Sequence, residues 1–257
     1  MVDIQNSRYF SDGAAPDVSS LFGDATGWLV VHVDACCYGR AGLQFALEHL
    51  PFAAGRKCVV GASSLDEALR VTRPYAFNGR TVRCLVVRLP SLAREALITL
   101  LQLSEVMQHD VVRYHQVVVL SPFDTVAVQR LVTIMGMADA RVVDARLSPL
   151  TLCNAVLFAP EKWMAEGWCL SQVLTEHERN ALRQSLQFWP IPMQARLRQV
   201  SPKTVYSQRF RALMKLGVQD IRTLLNLLVP GCKGHMAEGG LCMGVNMPLA
   251  ARGRRWR

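Results

Sequence analysis

Lys203, Thr204, Ser207, Gln208 and Arg211 recur at helical spacings behind Ser201-Pro202, and Lys215 follows one turn later. Ser is a good helix N-cap, Pro is tolerated at the first helical position and Gly217 supplies a stop, so the stretch reads as a helix ending near Leu216. Residues four apart lie on one helix face. Cations, hydroxyls and amides gathered there match phosphate oxygens and base edges in a DNA groove, while Val205, Leu213 and Leu216 supply an apolar back. A basic helix can also be merely a solvated face. The charge distribution favours the groove: from Leu174 to Val229, nine basic residues stand against three acidic ones, leaving +6 of the chain's net +9 in this short segment.

Asp34, Arg88 and Ser121 form a second set, each at the end of an apolar run. The runs alternate with amphipathic stretches. Trp28 to Val33, Lys57 to Gly61, Val82 to Leu89, Gln116 to Leu120 and Ala140 to Val143 read as strands. Tyr38 to Leu50, a stretch beginning at Ser64, Leu92 to Met107, Thr125 to Met135 and Pro149 to Leu157 read as helices. Strands this continuously apolar, separated by helices, predict an α/β doubly wound five-stranded parallel sheet covered on both faces. Ligands of such sheets sit at the carboxyl ends of the strands. The residues placed there are Asp34-Ala35, Arg88-Leu89, Ser121 and Asp144-Ala145-Arg146.

From Leu174 to Val229 the stretches are helical in period, with an interruption at Pro190 and Pro192. Thr175 with Glu178 forms a capping box, a short helix spans Met193 to Gln199, and Asp220 caps a last helix from Ile221 to Val229. The sequence therefore predicts a flexible leader over residues 1–25, the sheet domain over 26–158, a linker over 159–173, an all-α four-helix domain over 174–229 and a disordered basic tail over 230–257.

Ser201-Pro202-Lys203-Thr204-Val205 followed by Lys215-Leu216-Gly217-Val218 resembles the recognition helix of the LuxR/NarL helix-turn-helix regulators, and Leu174-Thr175 with Glu178 matches that family's L-T-x-x-E opening. Asp220-Ile221 and Leu224-Leu225-Asn226 are similar to the last helix of the Rcs-type and BglJ-type enterobacterial members. The resemblance implies a four-helix DNA-binding domain in which Lys203, Thr204, Ser207, Gln208, Arg211 and Lys215 face double-stranded DNA. It also makes the stripe Ile221, Leu224, Leu225 and Leu228 a candidate dimerisation surface. The chain departs from the pattern between the first two helices, where Trp189-Pro190-Ile191-Pro192 replaces the usual Gly, and at Arg198, where Leu is expected.

The front of the chain resembles the receiver domain that usually accompanies this DNA-binding unit, through Arg40-Ala41-Gly42-Leu43 and Leu147-Ser148-Pro149. Receiver chemistry requires an acid pair after the first strand to hold Mg²⁺ and an Asp after the third to attack phosphorus. Here Asp34 is followed by Ala35, residues 81–94 contain no acid, and Ala145 or Arg146 stands where a Lys is expected. The site reads as degenerate: Asp34 and Ser121 as ordinary strand-end residues, and Arg88 either paired with Asp34 in the place of ion and phosphate, or exposed or differently paired.

Composition limits the remaining classes. No apolar run approaches the roughly 18 to 20 residues of a membrane-spanning helix, and the N-terminus lacks the pattern of a secretory signal, so a cytoplasmic protein is expected. The eight cysteines (36, 37, 58, 84, 153, 169, 232 and 242) then read as thiols. Cys232, His235 and Cys242 lack a fourth zinc ligand. The expectation is a DNA-binding transcription regulator, not an enzyme, with no cofactor, metal or small-molecule substrate. It would act independently of phosphorylation, as a homodimer or a heterodimer with a LuxR-type regulator. The alternative is an interaction protein that titrates another regulator and has lost DNA binding through Pro190, Pro192 and Arg198.

Overall fold

A computed structural model describes residues 27–49, 56–73, 81–108, 114–157 and 173–229. The leader, most of the linker and the tail, with Cys232, His235 and Cys242, lie outside the described residues. Five strands alternate with five helices: β1 (Gly27–Val33), α1 (Cys37–His49), β2 (Arg56–Ala62), α2 (Leu65–Thr72), β3 (Thr81–Arg88), α3 (Ala93–Gln108), β4 (Gln116–Ser121), α4 (Thr125–Ile134), β5 (Arg141–Asp144) and α5 (Pro149–Leu157). Four further helices follow, α6 (Glu176–Leu186), α7 (Ile191–Leu197), α8 (Pro202–Lys215) and α9 (Ile221–Asn226).

The strands form one all-parallel sheet in the order β2-β1-β3-β4-β5, so the expected doubly wound topology is present. Alternation along each strand divides the core. Leu29, Val31, Leu85, Val87, Val117 and Val119 point to the layer of α2, α3 and α4, while Val30, Cys84, Val86, Val118 and Leu120 meet Leu43 and Leu47 of α1 and Cys153 and Val156 of α5. The strand order reverses between β1 and β3. Their carboxyl ends, carrying Asp34 and Arg88, therefore open at the crevice where such sheets take ligands.

The helical segment does not hang free of the sheet. Leu182 and Leu186 of α6, Leu213 and Leu216 at the end of α8, and Leu224 and Leu228 join the same buried cluster as α3 and α4. A smaller core of Ala181, Ala195 and Val205, flanked by Ile191 and Val200, holds α6, α7 and α8 together. Around this apolar contact, Arg183 of α6 pairs with Glu105 of α3 at 2.8 Å, and the guanidinium of Arg179 reaches Gln108. The end of α4 is joined as well, since the amide of Leu174 donates to the Ile134 carbonyl at 2.9 Å.

Helix boundaries follow their local chemistry. Thr175 and Glu178 complete the expected capping box, Ser201 accepts from the Thr204 amide at 3.0 Å, and Asp220 accepts from the Thr223 amide at 2.7 Å. Gly217, at φ 72°, closes α8 as expected, with the Val218 amide on the Leu213 carbonyl at 3.0 Å. Two helices differ from the sequence expectation. α7 begins at Ile191, because Pro190 serves as its N-cap and Pro192 sits in its first turn where no amide hydrogen is required. α9 ends at Asn226, with Leu227 to Val229 held in tighter turns.

Candidate nucleic-acid interface

α8 places the predicted contacts on two different sides. Lys203, Ser207 and Arg211 are exposed and lie four residues apart on one line, with Thr204 half-buried beside them. Ser201, the cap of this helix, also shares a hydroxyl hydrogen bond with Thr204 at 2.8 Å. The opposite side buries Val205, Ala212 and Leu213. The exposed line is thus held by a helix fixed along its back, the arrangement that presents side chains to a groove with little freedom to lose.

Gln208 and Lys215 are turned inward. The Lys215 ammonium donates to the Val173 carbonyl and to Glu178 Oε2, both at 2.8 Å, which ties the end of α8 to the start of α6. Burial pushes the Glu178 carboxyl up, but the hydrogen bonds from Lys215 and from the Thr175 amide, with the Lys215 charge, more than offset it and hold the group below its usual range. Gln208 accepts from Arg198 at 2.6 Å, and the same guanidinium reaches the His177 carbonyl at 3.5 Å. Arg198, the departure from the family pattern, therefore bridges α6 and α8 from the C-cap of α7. This polar contact adds to the apolar core that holds α7, where Gln194 is fully buried and donates to the Trp189 carbonyl at 2.7 Å.

The stripe expected to meet a partner lies mostly inside. Leu224 and Leu228 are 0% and 2% exposed, and Ile221 and Leu225 are half-buried against the same core. In this arrangement Leu224 and Leu228 are not available to a second chain, which corrects their assignment as dimer contacts. The cause is that α9 packs on α3, a surface remote in sequence.

At the sheet crevice, Arg88 Nη1 lies 3.7 Å from Asp34 Oδ2, an ion pair without a hydrogen bond, while the Arg88 side chain stays 46% exposed. Asp34 is buried, and its Oδ1 accepts from the Cys36 amide at 2.8 Å. Arg40 donates from Nη1 to the Asp34 carbonyl at 2.6 Å. A Cβ on Gly39 would stand 2.1 Å from Asp34 Oδ2, so only glycine admits the carboxylate against the first turn of α1. Ser121, fully buried, is occupied by the backbone of Phe123, accepting at 3.0 Å and donating at 3.2 Å. Arg146 is taken up by Asp144, two residues earlier, in a 2.9 Å ion pair.

His32 belongs to this crevice too, and nothing in its sequence context marked it. It is 1% exposed, and neither ring nitrogen meets a hydrogen-bond partner among the described residues. Burial pushes its pKa down to about 4, with the Arg88 and Arg40 charges adding to the effect and Asp34 opposing it. Arg40 and Gly39 likewise reach Asp34 only through the fold, since neither reveals that contact in its local sequence.

Among the described residues, no group of three or more His, Cys, Asp or Glu side chains is placed to hold a metal ion. No helix there is long and apolar enough to cross a membrane.

The fold defines a class: a doubly wound, five-stranded parallel sheet of order β2-β1-β3-β4-β5 joined to a unit of four helices. No family model matches the chain, and no curated protein matches it. Among solved structures it is similar to RcsB from Salmonella enterica serovar Typhimurium bound to promoter rprA, at 22% identity over 79% of this chain and 98% of that one, with a TM-score of 0.46. An RcsB-DNA complex matches at 21% identity over the same shares, TM-score 0.42. Full-length FixJ from B. japonicum matches at 18% over 79% and 96%, TM-score 0.34.

Proposed function

We propose that this chain is a DNA-binding transcription regulator whose sheet domain works without phosphorylation. The observation that carries the reading is the exposed line Lys203, Ser207 and Arg211 on a capped helix whose back is buried, within a segment of net charge +6. Thr204 joins this line at its N-terminal end. Gln208 and Lys215 act from behind it, the first through Arg198 and the second through Glu178, by fixing α8 on α6.

Independence from phosphorylation rests on chemistry at the crevice. Phosphoryl transfer to a carboxylate needs a nucleophilic acid after β3 and a second acid beside Asp34 for the divalent ion. Arg88 and Ala35 stand there instead, and Arg88 supplies the charge that balances Asp34. Association as a homodimer, or with a related regulator, is part of the proposal. Of the α9 stripe, Ile221 and Leu225 retain surface to offer.

Selection of genomic fragments by the full-length protein, at low salt with competitor DNA, tests the reading. Enrichment of one family of related sequences is expected. Uniform recovery of all fragments, or none, overturns it.

A further inference from the structure

Three large apolar side chains of α8 remain in solvent: Tyr206, Phe210 and Met214 are 56%, 52% and 57% exposed. They repeat at the same four-residue spacing as Lys203, Ser207 and Arg211, and each precedes or follows a member of that line by one to four residues, so the two lines run side by side. The apolar line spans about 12 Å of helix axis, comparable with the width of a DNA major groove, about 12 Å. An open cleft beside Tyr206 and Phe210 extends to Ile221 and Arg222 of α9. Contiguous exposed apolar side chains on a folded surface mark a place where something binds.

The charge around the stripe selects the occupant. Arg209 lies with its guanidinium carbon 5.0 Å from the Tyr206 ring centroid, Arg211 and Lys203 flank the stripe on one side, and Arg222 lines the cleft on the other beside Asp220, whose carboxylate caps α9, so four cations stand against one acid. A ligand for this face must offer small apolar groups within an anionic frame. The major groove of DNA does so at thymine, whose 5-methyl group projects among the acceptors of its base pair.

We propose that Tyr206, Phe210 and Met214 read thymine methyl groups, so that the specific site carries A·T pairs beside the bases read by Ser207 and Arg211. This rests on the DNA-binding reading above and deepens it by naming the bases. Phe210, midway along the stripe and one residue before Arg211, is the central contact.

The test replaces each thymine of a selected duplex by deoxyuridine, which removes the methyl group and nothing else, and measures binding of the full-length protein. Loss of about threefold to fivefold at one to three positions is expected, the effect of uncovering one methyl-sized group. Phe210→Ala, checked for folding by circular dichroism, is expected to lose the thymine preference at the central one of these positions while keeping it at any position read by Tyr206 or Met214. Phe210→Leu, which keeps an apolar end, should retain part of the preference. Sequence-selective binding with no thymine dependence at any position overturns the inference and leaves the DNA-binding reading intact. Failure to bind any duplex overturns both, and directs the stripe to a protein partner.

Discussion

The guanidinium of Arg94 lies 3.6 Å from the centroid of the Phe188 ring, and its Nη1 donates to the Leu186 carbonyl at 3.1 Å. Arg94 stands in the first turn of α3. Phe188, at φ 62°, is the left-handed residue that closes α6, a conformation disfavoured for a bulky side chain. The sheet domain thus holds, through one arginine, both the strained cap and an otherwise open carbonyl of the first helix in the helical unit.

Arg94→Ala should therefore lower stability by about 1–2 kcal/mol, the combined worth of a partly exposed cation–π contact and a charged hydrogen bond. Phe188→Gly should cost less than Phe188→Ala, because glycine relieves the left-handed strain while losing the same ring. Urea unfolding of the three variants checks both statements. Equal losses for Gly and Ala would show that the cap carries no strain.

Burial of His32 makes stability depend on pH. With its folded pKa pushed down to about 4 from 6.5, the unfolded chain binds the proton more readily throughout that window. Stability is present above pH 6.5 and falls as the pH drops toward 4, by about 3 kcal/mol at most. His32→Leu should remove this part of the slope in urea midpoints measured from pH 7 to 4. An unchanged slope would show that other groups account for it.

Burial of the α9 leucines reverses an expectation drawn from their spacing. Leu228→Glu places a charge in a site 2% exposed and should unfold the helical unit or cost more than about 3 kcal/mol. Leu225→Glu, at a half-buried position, should be milder. Thermal melts followed by circular dichroism distinguish the two. A folded, fully stable Leu228→Glu protein with impaired association would restore the dimer assignment.

Phosphodonors should be without effect. Acetyl phosphate or beryllofluoride with Mg²⁺ is expected to change neither sedimentation nor DNA affinity, because Arg88 occupies the acceptor side of the crevice and pairs with Asp34. A Mg²⁺-dependent shift in either quantity would show that Asp34 still supports the ion.

What was legible in the sequence was local. The alternating strands, the Thr175–Glu178 capping box, the Ser201 cap and the Gly217 stop each depend on residues within a turn or two, and each lies where its chemistry predicts. Contacts across long separations were not legible. Lys215 and Gln208 share the polar character of Lys203 and Ser207, and only the approach of Val173, Glu178 and Arg198 turns them inward. Leu224 and Leu228 form a stripe that any apolar surface would satisfy, and α3 is the surface that does so. The exposed Tyr206, Phe210 and Met214 were hidden for the opposite reason, since apolar side chains on a helix read as core until the fold shows otherwise.

The central claim is that α8 reads DNA through its exposed line, and the salt dependence of binding tests it most directly. Fluorescence anisotropy of the full-length protein on a selected and a random duplex, across a range of salt, should give a linear fall of log affinity with log salt. Lys203→Ala should weaken both duplexes and lower the slope by about one unit, while Arg211→Ala should cost about 1–3 kcal/mol on the selected duplex alone, at one base position. Equal losses on both duplexes for both variants, or wild-type binding without salt dependence, would contradict the account.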